Sequence, residues 1–364
     1  MADLDLRLTA VATERAPKPR AQWVRTWFGT PGNSVITLVC AVALFTLGKL
    51  TVDWLLFNAT FAGTPGDCKS GSGACWPFLA AKLRYMLFGF YPFEEQWRPL
   101  LALVLFLGSA LISMLPRLWG RALLGIWCVI LMPTLYILMA GGVFGLVAVP
   151  TSQWGGLPLS FMLSFVGLGC ALPLGIFLAL SRISDLLIIR ILAISFIEVV
   201  RGVPLISILF MATVMLPLFM PDGITIDKLV RAQVAIIIFA AAYIAEIVRG
   251  GLQDIPRGQS ETGAALGLHY WLVMYKIVLP QAMKKVIPPL VGLFIGFFQD
   301  TTLVTIVGLL DFLDTVRSAM RDPAWQGIAV LEGYLFAAAV YFVFSALMGS
   351  YSRFLERHFR TTHD

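Results

Sequence analysis

Charge is scarce in this chain: Asp, Glu, Lys and Arg make up 13% of its 364 residues, hydrophobic residues 59%, and mean hydropathy is +0.84. Ordinary soluble domains carry roughly twice that charge, so a water-soluble fold is excluded. Histidine is nearly missing as well. His269, His358 and His363 all fall outside the apolar runs, which argues against an intramembrane metal or haem centre. There is no G-x-x-x-x-G-K-[ST] phosphate loop, because Gly48-Lys49 lacks the upstream glycine, and so no ATP hydrolysis by that route. The motifs G-x-S-x-G and H-E-x-x-H are missing too, which leaves a membrane enzyme without visible machinery. Residues 1–33 carry no apolar stretch and no cleavage site, so they do not read as a secretory signal. They are expected to form a cytoplasmic tail, disordered around Pro17 to Arg20, ahead of a retained first span.

What the chain does have is long apolar runs. A spanning helix needs roughly 20 mostly apolar residues, and eight runs qualify: 34–57, 99–115, 121–148, 157–180, 191–219, 230–249, 286–310 and 328–350. The expected fold is an all-α membrane protein of about eight transmembrane helices. Pro133, Pro173, Pro204 and Pro217 lie inside these runs. Lipid cannot satisfy the carbonyls they free, so these positions are expected to be buried or to line a cavity. With both termini on one face, that face collects 17 Lys and Arg, including Arg7, Arg15, Lys18, Arg182, Arg249 and Lys285, against eight on the other, including Lys82, Arg98 and Arg231. The positive-inside bias places both termini and the 250–285 loop in the cytoplasm. Cations beside anionic headgroups account for the net charge of +6, and no nucleic acid is needed.

The chain divides near Pro150-Thr-Ser-Gln-Trp-Gly-Gly-Leu157. Residues 34–150 hold three spans and an outer loop, 58–98, that is longer than connections usually are without a job. Residues 151–364 hold five spans, short links and nearly every unusual polar residue. No internal repeat relates the two parts, which counts against an ion-driven secondary carrier built from inverted halves, the alternative kept open here. Cys68 and Cys75 lie in Gly- and Ser-rich sequence, and a local disulfide is expected if that loop faces an oxidising space. Cys40, Cys128 and Cys170 fall in spans and are expected to act as small packing residues. Gly167, Gly169 and Gly175 are expected to allow close helix packing. Trp23, Trp27, Trp97, Trp119, Trp154, Trp271 and Trp325, near span ends, are expected to form an interfacial belt.

Between the sixth and seventh runs lies the polar stretch Glu261-Thr-Gly-Ala-Ala-Leu-Gly267. Ser260 suits a helix N-cap, Glu261 the positive helix end, and Gly267 a C-terminal stop, while Thr262, Gly263, Ala264 and Ala265 keep the helix slim. A second piece, His269 to Val278, is expected to be closed by Pro280. Either the result is an ordinary interfacial loop, or it is a projecting lip whose slim helix enters a groove on a partner. Glu261, Gly267, Ile277 and Leu279-Pro280 together resemble the E-A-A-x3-G-x9-I-x-L-P signature of ATP-binding-cassette importer permeases, with Thr262 and Gly263 in place of the two alanines. Arg201-Gly-Val-Pro204, Ala241-Ala-Tyr-Ile-Ala-Glu246-Ile-Val-Arg249-Gly-Gly, Pro256-Arg-Gly-Gln259, Leu279-Pro-Gln-Ala282 and Asp300-Thr-Thr-Leu303 look like the polar amino acid branch of that superfamily. These motifs span about 155–355. Cys75-Trp-Pro-Phe and Tyr91-Pro-Phe-Glu-Glu-Gln-Trp-Arg-Pro99 look like the M-type permease subunit of general L-amino acid transporters.

The resemblance implies a type I importer permease core of five helices, 151–364, preceded by a three-helix accessory region, 34–150. It also implies a second homologous permease, two ATP-binding subunits that grip Glu261, Thr262, Gly263, Ala264, Ala265, Gly267 and Leu268, and a periplasmic amino-acid-binding protein. ATP and Mg would then belong to the partner ATPase, with no cofactor and no metal in this chain, and the location would be a bacterial inner membrane.

For the path, ionised residues in a span cost at least ~2.5–3.5 kcal/mol and normally face the bundle interior or water. Glu198 and Arg201 are three apart on one helical face and can pair in place. Either they form a structural pair beside Gly202 and Pro204, or they line the path and touch the charged ends of an amino acid. The second reading is favoured, because a break that frees carbonyls is useful at a binding site. Glu246 and Arg249 repeat the spacing and read as an interfacial salt bridge. Asp300 lies about halfway along the seventh run and is followed by Thr301; Gln299 stands where the family usually has lysine. Asp300 therefore either finds Arg201 or stays in a wet path, and a broad range of amino acids fits a site that is less strictly charged.

Overall fold

The computed structural model describes residues 19–221 and 223–360. Arg7, Arg15, Lys18 and His363 lie outside the described residues. The chain forms two compact units, residues 1–77 and 78–364. In the first, α1 (Pro19–Phe28) begins where disorder was expected, so from Pro19 onward that expectation is corrected to helix. A Gly-Thr link leads to α2 (Pro31–Phe57), 27 mostly apolar residues and the first candidate span. Thr30 caps α2, its Oγ accepting from the Asn33 N–H at 3.2 Å, and Pro31 supplies a φ already set for a helix start. Beyond it a short helix, α3 (Pro65–Ser70), starts from a capping box in which Asp67 takes the Thr64 N–H at 2.7 Å. The Cys68–Cys75 disulfide closes this loop.

The second unit begins with α4 (Trp76–Phe88), which buries Phe78 and Met86 completely, followed by α5 (Phe93–Ser113) and α6 (Ala122–Ala140). Arg98 is fully buried in the first half of α5. Its Nε donates to the Leu138 carbonyl at 2.8 Å and its Nη1 to the Val147 carbonyl at 2.7 Å, so the cation fastens α5 to the turn after α6. The remaining spans are α7 (Gly156–Arg182), the broken pair α8 (Leu187–Gly202) and α9 (Leu205–Phe219), α10 (Lys228–Gln253), α12 (Tyr270–Val307) and α14 (Val330–Phe359). Two short helices separate them, α11 (Arg257–Ala265) and α13 (Phe312–Met320). Seven of the described helices are long and apolar enough to cross a membrane, or eight if the bent pair is one span. Phe106 of α5 meets Phe165 at 4.3 Å and Phe161 at 5.4 Å on α7, joining the earlier helices to the core through edge-on and tilted rings.

Close packing of α7 on α10 is the centre of the bundle. A Cβ on Gly167 would come within 2.8 Å of Ile236, and one on Gly175 within 2.6 Å of Ile244 and 2.9 Å of the Ala241 carbonyl. Two glycines eight residues apart thus let the α7 backbone press against the buried run Ala240, Ala241 and Ala245. Gly169 meets nothing within 4 Å, so its expected packing role is corrected.

Other expectations also change in three dimensions. The run 191–219 is two helices meeting at 101°, because Gly202 ends α8 and Pro204 cannot continue it. The run 286–310 begins sixteen residues earlier than read, at Tyr270, because the helix passes straight through Pro280. Pro133, Pro173 and Pro204 are exposed on this chain, which removes burial and leaves the cavity-lining alternative for them. At Pro217 the missing N–H would have bonded the Thr213 carbonyl, and Arg231 donates its Nη1 there instead. Cys40, Cys128 and Cys170 are exposed, so they do not pack inside this chain. Trp154 and Trp325 are buried, the first donating to the Val149 carbonyl at 3.2 Å, and neither belongs to a lipid-facing belt.

Candidate functional site

The polar stretch folds as a helical lip. Pro256 has a fixed φ and no N–H, so the helix begins directly after it, at Arg257, and not at Ser260. Ser260 is not the N-cap; it sits inside the first turn and donates its hydroxyl to the Arg257 carbonyl at 2.8 Å. At the other end Gly267 adopts φ +75°, with Gly267 N–H to the Ala264 carbonyl at 2.9 Å and Leu268 N–H to the Gly263 carbonyl at 3.1 Å. That is a Schellman stop, as the glycine's place in the sequence suggested. Pro280 does not close the following helix. A π turn at Met274–Val278 widens the ladder just before it, and α12 continues to Val307.

A close packing contact at Gly263 and a hydrogen bond from Gln281 to Gln259 at 3.4 Å hold α11 against α12. Gly263 is buried, with room for no more than a hydrogen: an added Cβ would lie 2.7 Å from Val273 and 3.5 Å from Ile277. The glycine that departs from the importer signature is therefore required by this packing. Lys285 of α12 reaches back to Asp254 at the end of α10, donating to its carbonyl at 2.9 Å and pairing with its carboxylate at 2.5 Å, which fixes the stem of the lip. On the outward face Glu261, Thr262, Ala264, Ala265 and Gly267 are exposed, and Leu268 is half-buried. Leu266 and Trp271 stand beside them 74% and 64% exposed, which leaves a carboxylate flanked by apolar side chains on a rigid, narrow helix.

The membrane-embedded polar residues assemble differently from the sequence reading. Glu198 and Arg201 do not form the expected ion pair. Glu198 meets Arg182 at 3.0 Å, while Arg201 turns to Glu246 at 3.7 Å. Glu246 also takes Arg182 at 3.1 Å and a two-pronged contact from Arg249, whose Nε donates at 3.0 Å. The i, i+3 pair of Glu246 and Arg249 thus exists, but as part of a cluster joining α7, α8 and α10. Arg182 had been read only as a loop cation, and nothing local marks it, because its partners are 16 and 64 residues away in sequence. Glu198 keeps 55% of its side chain exposed and Arg201 32%. Gly202 and Pro204, at the break, are exposed.

Asp300 is not halfway along its span. It ends the α-helical part of α12, which tightens to a 3-10 turn from Thr301 to Val307, and its carboxylate is exposed and forms no ion pair with Arg201 among the described residues. Gln299 is exposed and donates to Ser345 at 3.3 Å. Thr301 is 2% exposed with its hydroxyl on the Phe298 carbonyl at 2.8 Å, so it does not present a side chain to a path. Among the described residues no group of three or more His, Cys, Asp or Glu side chains could hold a metal ion.

A bundle of seven or eight apolar spans with a projecting, glycine-stopped lip has the architecture of a transport permease. The chain belongs to the family of binding-protein-dependent transport system inner membrane components, whose profile matches residues 171–361. It is 43% identical to the inner membrane amino-acid ABC transporter permease protein YhdY of Escherichia coli strain K12, over 97% of this chain and 99% of that protein. It is 35% identical, over the full length of both, to the glutamate/glutamine/aspartate/asparagine transport system permease protein BztC of Rhodobacter capsulatus. A crystal structure of an amino acid ABC transporter with histidines matches with TM-score 0.50 and 29% identity, covering 56% of this chain and 92% of that one.

Proposed function

We propose that this chain is the transmembrane permease subunit of an ATP-driven importer that moves L-amino acids from periplasm to cytoplasm, powered by separate ATP-binding subunits that dock on the Glu261 helix. The observation that carries the reading is the construction of α11: a slim helix, stopped by Gly267, held to α12 through Gly263 and the Gln281–Gln259 contact, with Glu261 outward. A force applied to such a lip is transmitted to a helix that crosses the membrane rather than lost in a mobile loop. The substrate class rests on the relatives, whose names specify amino acids.

In this reading residues 151–364 are the permease core, 34–150 are accessory, and 250–285 form the coupling loop, with both termini cytoplasmic. The path takes in Glu198, Arg201, Gly202, Pro204, Gln299 and Asp300. Exposed ionised groups at membrane depth need water or protein beside them, which supports a second homologous permease covering this face. A periplasmic amino-acid-binding protein delivers substrate, and ATP and Mg reside in the ATPase. The test is purification of the tagged chain from its host in mild detergent, followed by reconstitution. An ATPase and a second permease should accompany it, and loaded binding protein should raise ATP hydrolysis. Glu261→Lys should leave the permease folded but release the ATPase. Ion-driven uptake by the chain alone, or full ATP-driven uptake by Glu261→Lys, would overturn the reading.

A further inference from the structure

We infer that Arg201 binds the α-carboxylate of the transported amino acid, an assignment that rests on the importer reading above. The charge cluster contains three guanidinium groups, Arg182, Arg201 and Arg249, and two carboxylates, Glu198 and Glu246. Complete ionisation leaves one positive charge over. The surplus sits on Arg201. Arg182 and Arg249 each contact a carboxylate at about hydrogen-bond distance, with Arg182 shared at 3.0 and 3.1 Å, whereas Arg201 touches Glu246 only at 3.7 Å. Releasing Arg201 would leave Glu246 with two cations and Glu198 with one, so the cluster does not need it for neutrality.

The guanidinium is nonetheless held in place. Its Cζ lies 5.4 Å from the centre of the Tyr243 ring, a cation–π contact that uses the face of the group and leaves its in-plane N–H donors available. The side chain keeps 32% of its surface exposed, and its buried Nε, like Arg182 Nη1 in the same cluster, has no hydrogen-bond partner. A buried donor without an acceptor is a cost the fold bears unless a ligand relieves it, and a planar carboxylate is the acceptor that a guanidinium fork fits best. The position suits a zwitterion as well. Arg201 is one residue from the end of α8, where the chain turns through 101°, so the negative end of the α8 dipole lies at the same break to receive an ammonium group. Because every amino acid carries the α-carboxylate, this residue reads what substrates share and leaves discrimination of side chains to other positions.

The experiment uses the whole complex in proteoliposomes with its binding protein, measuring uptake of an acidic, a neutral and a basic amino acid per ATP hydrolysed. Arg201→Gln should lower that ratio at least about tenfold for every amino acid the parent carries, the size expected for a lost charge-assisted hydrogen bond. Arg201→Lys, which keeps the charge but not the fork, should recover only part of it. Three results would overturn the assignment. One is an unchanged ratio in Arg201→Gln, and another is a loss confined to acidic substrates. The third is loss of the second permease from purified Arg201→Gln, which would mean that Arg201 meets a carboxylate of that partner. Should Arg201→Gln yield no folded permease at all, Arg201→Lys decides: an assembled complex with the parental subunits and the full parental ratio rejects the assignment. Parental vesicles without ATP-driven uptake would instead overturn the importer reading, and this assignment with it.

Discussion

Replacing Gly263 by alanine restores the residue that the importer signature carries, yet should loosen this lip. The new Cβ would lie 2.7 Å from Val273 Cγ2 and 3.1 Å from Cγ1, roughly 1 Å inside ordinary carbon contact. Val273 is 94% buried and β-branched, so it has one comfortable rotamer in a helix and nowhere to turn. Overpacking of this kind costs about 1–3 kcal/mol, while a helical Gly→Ala change returns roughly 1 kcal/mol of intrinsic propensity. The net is about 0–2 kcal/mol against docking of α11, with the upper half expected because the obstacle is stiff on a packed helix. A cost of 1–2 kcal/mol raises local opening by about 5–30-fold. Amide hydrogen exchange across residues 257–268 measures this opening directly. Adding Val273→Ala removes the obstructing methyls, so the double variant should exchange more slowly than the sum of the single effects requires, with a coupling of at least ~0.5 kcal/mol. Exchange in Gly263→Ala that is equal to or slower than in the parent, or effects that simply add, would refute the claim that this glycine is set by packing.

Glu246→Ala leaves three guanidinium groups facing one carboxylate; a loss of about 3–5 kcal/mol is expected, read as a collapse of monodisperse yield in detergent, with Arg182→Ala milder because Glu246 keeps Arg249. Arg231→Met orphans the carbonyl that Pro217 already deprived of its partner, and should cost about 1–3 kcal/mol, seen as a lowered thermal aggregation midpoint. Acid should release α4 from the segment that follows α13, which carries Asp322. The Lys82 ammonium at 2.5 Å, and then the Ala324 N–H, hold the Asp322 carboxyl below its ordinary value of 3.8. A depressed folded value gives stability that is present above the ordinary value and lost as pH falls through the folded one. Pepsin susceptibility of residues 78–88 should therefore rise more steeply below about pH 4 in the parent than in Asp322→Asn.

Much of the site was readable where the signal was local. The Gly267 stop, the i, i+3 relation of Glu246 to Arg249, and the apolar runs are patterns within one helix, and spacing reports such patterns. Reading failed where a local rule had two solutions. Ser260 and Pro256 can each begin a helix, and Pro256 prevails because its ring fixes the chain one turn earlier. Pro280 breaks a helix in isolation but is tolerated after a π turn. Glu198 can reach Arg201 along α8, yet pairs with Arg182 because α7 packs beside it.

The sequence by itself determined the solvent and therefore the class. With so few charges and so many apolar runs, only helices that satisfy their own backbone in lipid were open to it, and the Glu261 stretch could only be a polar link between two of them. Tertiary structure alone decided the partners of each charge, the depth of Thr301, the 101° break after Gly202 and the burial of Gly263. These depend on which helix faces come together. That is settled by close contacts such as Gly175 on Ile244, made between residues 69 positions apart, which no periodicity within one helix encodes.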